Sequence, residues 1–180
     1  MPDVTQASGL FWATVFGAAL GIVAGTIIQY FITLTLEKKS KARQKSSLMK
    51  EMIYNKSLAC ELYKEVQKLR NAVNGGVLNT YFGYFPYNKA IFAQAIASAN
   101  NGMLYELLSI EHIKNAQHMV SVLSVNTENW VNNEITRRRD IVINTPESFD
   151  RAEAVGFVDF VDKQIQDLQQ TIDTLIKELQ

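Results

Sequence analysis

From Gly9 to Leu36 the chain carries no Asp, Glu, Lys or Arg. A helix needs about 20 apolar residues to cross ~30 Å of hydrocarbon, and this segment exceeds that with room for tilt. Trp12 and Tyr30 lie toward its two ends, where amphipathic rings favour the membrane–water interface. The pattern predicts a transmembrane helix over 9–36, preceded by a short extracytoplasmic tail at 1–8. Two other readings fit less well. A core helix of a soluble domain is seldom this long without a charge. A cleaved signal peptide needs a basic start and a short apolar run, whereas "MPDVTQAS" holds Asp3 and no Lys or Arg.

Orientation follows from "EKKSKARQKSSLMK". Lys38, Lys39, Lys41, Arg43 and Lys45 come just after the span, and nothing basic precedes it. The positive-inside rule then puts the N-terminus outside and the remainder in the cytoplasm, on an inner cell membrane. The basic segment at 37–47 sets topology and is suited to anionic head groups.

Within the span, Ala13, Gly17, Gly21 and Gly25 recur every four residues, and Gln29 continues the row. Such residues share a helix face. In lipid, helices associate through close backbone approach, which small-xxx-small faces allow. The row predicts a packing partner, either a second copy of this chain or another membrane protein, with Gln29 placed for a hydrogen bond across the contact or at the head-group boundary.

The remainder, 48–180, reads as an antiparallel bundle of helices with coiled-coil-like heptads. Leu48, Met52, Asn55, Ala59, Leu62, Val66, Leu69 and Val73 alternate in steps of four and three, which is a heptad seam, and Asn74-Gly75-Gly76 ends it. A seam Asn fixes register or oligomer state in coiled coils. Near the C-terminus, Val158, Val161, Ile165, Leu168, Ile172, Leu175 and Leu179 repeat the pattern, with Asp159, Asp162 and Lys163 among the residues opposite. Thr145 and Pro146 are suited to open that helix. Between the seams the sequence predicts a helix at 88–99, a turn at 103–108 and one helix from Ile110 to about Arg138. Ile113, Ala116, Val120, Leu123, Thr127 and Trp130 are expected to face inward, with a short extended piece at 141–143. Whether the two seams pair within one chain or between chains is left open by the pattern.

Little in the sequence points to catalysis. His112 and His118 are six apart and share no helix face. Cys60 stands alone, so no intrachain disulfide forms. Phosphate-binding glycine loops, dinucleotide fingerprints and nucleophile elbows are missing from the sequence. The expectation is a non-enzyme with no cofactor, no metal and no small-molecule substrate. Arg137, Arg138 and Arg139 are read as a helix C-terminal cap, too narrow a basic face for nucleic acid, and the formal net charge is zero. Tyr81, Phe82, Tyr84, Phe85 and Tyr87 form an aromatic loop, read either as a partner surface or as a lid closing the bundle.

The expected function is that of a membrane-anchored scaffold or accessory subunit. It would assemble through its glycine face and engage a partner through its cytoplasmic helices. The alternative is a membrane-acting effector, for example in bacterial defence, whose spans cluster to perturb the bilayer.

Overall fold

A computed structural model describes the backbone from Val4 and the side chains from residue 25 to Gln180. Among the described residues all regular structure is helical, without strands. Two compact units divide at Arg43 and Gln44. The first helix, α1, runs Val4–Asn74. It stops where glycine permits a left-handed turn. Gly76 has φ +70°, Val77 N–H donates to Ala72 O at 2.9 Å and Gly76 N–H to Val73 O at 3.3 Å. These are the paired bonds that satisfy the last carbonyls of a helix.

Among the described residues, no helix is long and apolar enough to cross a membrane. Described side chains of the expected span begin at residue 25, and residues 25–36 rise only about 18 Å at helical pitch. Residues 9–24, with Ala13, Gly17 and Gly21, lie outside the described side chains.

The unit 44–180 is the expected helical bundle. Every seam residue of α1 from Leu48 to Val73 is buried. The last helix, α6 (Arg151–Glu178), buries its own seam from Val158 to Leu175, and Leu179 just beyond it. The two seams meet within one chain and run antiparallel. Lys56 pairs with Asp173, Cys60 lies against Gln169, Gln67 meets Asp162 and Arg70 meets Asp159. Each advance along α1 is matched by an equal retreat along α6. Asp162, expected on the wet face, is buried instead. Its carboxylate takes one arm of the Arg70 guanidinium at 2.6 Å while Asp159 takes the other at 2.6 Å, so a buried charge keeps a partner.

The segment between the seams differs most from expectation. The helix expected at 88–99 is a 3-10 turn at Tyr87–Lys89 followed by α2 at Ala93–Asn100. The turn at 103–108 holds one helical turn, α3, Leu104–Leu107. The single helix from Ile110 is two helices, α4 (Ile110–Val122) and α5 (Val125–Asn144). Ser124 breaks them apart because its Oγ accepts Thr127 N–H at 3.2 Å, a new N-cap in mid-sequence. The break resets helical phase. Met119, Val122, Val131 and Ile135 face the core, while Val120 and Trp130 are exposed. α5 continues through the piece expected to be extended at 141–143. Thr145 and Pro146 open only a 3-10 turn at Pro146–Ser148, and Asp150 caps α6 by accepting Ala152 N–H at 2.8 Å and Glu153 N–H at 3.1 Å.

Candidate functional site

The connector from Val77 to Phe92 has little regular structure, so its backbone groups need partners from elsewhere. Four side chains on two helices supply them. Asn132 of α5 accepts Phe85 N–H at 3.0 Å and donates to Phe85 O at 3.1 Å. Four residues earlier, Glu128 accepts Asn88 N–H at 2.7 Å and the Tyr84 hydroxyl. From α1, Asn55 grips Ile91 in the same two-sided way, at 2.9 and 2.8 Å. Glu51 accepts Gln94 N–H at 2.7 Å and Ala95 N–H at 3.1 Å, capping α2 in place of Phe92, which has no capping side chain. Both carboxylates and Asn55 are buried. Burial pushes the Glu51 carboxyl above its ordinary value, against the lowering effect of the two N–H bonds.

This clamp divides the aromatic loop. Tyr81, Phe85 and Tyr87 are core residues, and Phe85 and Tyr87 stack with ring centres 6.3 Å apart. Only Phe82, 77% exposed, and Tyr84 look outward, so the lid reading describes three of the five rings. Phe82 lies 5.0 Å from the Arg139 guanidinium. Gly83 follows Phe82 in the loop, and a Cβ there would collide with the Tyr81 ring and the Glu65 carboxylate.

The arginine cluster is not a helix cap, since α5 runs on to Asn144. Arg138, 8% exposed, reaches Glu134 within α5 and Glu153 of α6 at 2.9 Å, and its guanidinium lies 4.2 Å over the Phe157 ring. Arg137 bonds the same two carboxylates. The cluster ties α5 to α6.

Ser109, His112 and Glu178 come together in a way that invites a catalytic reading. The Ser109 Oγ is 2.8 Å and the Glu178 carboxylate 3.5 Å from His112, but both address the same nitrogen, Nδ1. A proton relay needs the nucleophile and the acid on opposite ring nitrogens. Ser109 also accepts His112 N–H, so the trio caps α4 and joins it to the end of α6. Among the described residues, no cluster of His, Cys, Asp and Glu has metal-site geometry.

Two apolar surfaces remain open. A groove of about 240 Å³ between α2, α3 and α4 has Ala95, Ala99 and Ala116 among its lining, with Ile96, Tyr105 and Val120 exposed around them. On the first unit, Ile27, Ile28, Tyr30, Phe31, Ile32 and Leu36 are all more than half exposed. Gln29 is exposed, and a Cβ at Gly25 would meet nothing within 4 Å. Lys38, Lys39, Lys41 and Arg43 are exposed, and Lys45 is half-buried.

Sequence reasoning passed over Glu51, Glu128 and Asn132. The one available signal was two polar residues four apart, Glu128 and Asn132, on a helix beside an aromatic loop with few backbone partners of its own. Comparison with protein families, curated proteins and solved structures finds no match to this chain.

Proposed function

We propose that the chain is a membrane-anchored scaffold or accessory subunit that works by binding rather than by catalysis. In this reading residues 9–36 span the bilayer with the N-terminus outside, and the bundle stands on the cytoplasmic side. One observation carries it. The helix from Gly25 to Leu36 carries no charged residue and leaves Ile27, Ile28, Tyr30, Phe31, Ile32 and Leu36 exposed, with Thr26, Gln29, Thr33 and Thr35 between them. So much exposed apolar side chain on a charge-free helix needs an apolar surrounding, and the charge-free sequence before it extends the same character to Gly9. Cations then follow at once, as the positive-inside rule requires.

Ala13, Gly17, Gly21 and Gly25 form the face by which the span packs against another helix, of a second copy or of a different membrane protein. The experiment is cross-linking of the full chain in native membranes, with everything captured identified. The expected result is a defined complex that Gly17→Leu with Gly21→Leu abolishes while carbonate extraction still finds the chain in the membrane. Unchanged association in that double variant rejects the glycine face, and extraction of the wild type by carbonate rejects the span.

A further inference from the structure

On the first unit, Ile28, Phe31, Ile32, Thr35 and Leu36 line an open apolar groove of about 340 Å³. Helical geometry, 100° per residue, places Lys39 and Arg43 on the continuation of that same face, one and two turns farther on. The hydroxyl of Thr35 is spent on Phe31 O at 2.8 Å, so the groove offers a ligand little beyond hydrocarbon contact. Lys39 and Arg43 are neighbours at i and i+4, where like charges repel and cost helix stability. Neither has an ion pair among the described residues. The cations of the bundle that sit near acids are paired, Lys56 with Asp173 and Arg70 with Asp159 and Asp162. An apolar trough ending in two unpaired cations is complementary to a hydrocarbon chain joined to an anionic head, and a phosphate there takes charge-assisted bonds from both cations.

We infer that this face binds one anionic phospholipid, its acyl chain along Ile28, Phe31, Ile32 and Leu36 and its phosphate bracketed by Lys39 and Arg43. The site rests on the membrane reading above. Both donors are charged, so the phosphate accepts charge-assisted hydrogen bonds from each side. Lys38 and Lys41 project from other sides of the helix and take no part, although they carry equal charge.

The test uses the full chain in nanodiscs of mixed phosphatidylcholine and phosphatidylglycerol, with lipids retained on mild extraction counted by native mass spectrometry. Wild-type protein is expected to retain phosphatidylglycerol preferentially. Lys39→Gln with Arg43→Gln is expected to lower that preference about 25-fold, roughly fivefold for each cation. Lys38→Gln with Lys41→Gln removes the same charge and is expected to leave the preference near wild type. Equal loss in the two double variants would show diffuse attraction and overturn the site, as would no preference in the wild type. Excess inorganic phosphate is expected to leave the lipid bound; its displacement would assign the cations to soluble anions and overturn the proposal. A chain that carbonate extracts from the membrane fails the membrane reading itself, a separate outcome read on the same preparation.

Discussion

At the scale of single residues, the buried polar groups set the sharpest expectations. Tyr87 is fully buried and its hydroxyl has no hydrogen-bond partner. An unpaired buried hydroxyl costs on the order of 1–3 kcal/mol, and the ring itself fills the core. Tyr87→Phe is therefore expected to stabilise the bundle by about 1 kcal/mol, raising Tm by about 2–4 °C in a thermal melt. An unchanged or lowered Tm would mean that the hydroxyl is satisfied. Two carboxylates carry opposite pH signatures. Burial raises Glu51 above its ordinary value, so its contribution is fully present below the unfolded value near 4.5 and is lost as pH rises through the higher folded value. Burial also pushes Glu134 upward, but hydrogen bonds and charge from Arg138 and Arg137 outweigh it and hold it below the ordinary value. Its contribution is present above 4.5 and is lost as pH falls through the lower folded value. Melts of Glu51→Gln and Glu134→Gln from strongly acidic to neutral pH should change slope in opposite senses, the Glu134 variant below 4.5 and the Glu51 variant above it. Parallel curves would reject the assignment.

At the scale of elements, the connector is held by side chains of its neighbours rather than by its own regular structure. Asn55 and Asn132 each make a two-sided bond to one backbone residue, Ile91 and Phe85. Asn132→Leu is expected to leave α5 helical, because Leu is a better helix former, while stranding both polar groups of Phe85. Amide hydrogen exchange should then quicken at Phe85 and its neighbours while Ile91 keeps its protection; Asn55→Leu should do the reverse. Uniform acceleration across the bundle would show that the connector does not open as a local unit. The same elements mark where sequence pattern ends as a guide. The seams of α1 and α6 were legible because each position repeats one environment over many turns, and repetition is what periodicity detects. Ser124 was not, because a lone serine inside a helical pattern is equally compatible with a solvent-facing residue. Only the capture of Thr127 N–H turns it into a boundary, and that boundary is why Trp130 points out. Glu51 and Asn55 read as helix residues because their partners, Gln94, Ala95 and Ile91, are distant in sequence and offer backbone rather than side chain. The two readings of the aromatic loop described different rings, Tyr81, Phe85 and Tyr87 inside and Phe82 and Tyr84 outside.

At the scale of the whole molecule, the two units bury their apolar residues in different ways, and this separates folding from association. The seams of α1 and α6 satisfy each other within one chain, locked in register by pairs spread from Lys56–Asp173 to Arg70–Asp159. No seam residue is left over for a second chain. The first unit has the reverse character, with Ile28, Tyr30, Phe31, Ile32 and Leu36 more than half exposed. An exposed apolar surface of this kind is suited to association, with protein or with lipid. Residues 44–180 alone are therefore expected to fold cooperatively and to sediment as a monomer, and the full chain in detergent is expected to associate through the segment before them. Removing core packing should show the same division. Leu168→Ala in α6 lies at a fully buried position and should cost about 2–5 kcal/mol of bundle stability, read by urea denaturation of residues 44–180, without altering the association of the full chain measured by cross-linking. A fragment 44–180 that dimerises, or a full chain whose cross-linking falls in step with the Leu168→Ala destabilisation, would place the interface in the bundle and remove the glycine face as the carrier of assembly.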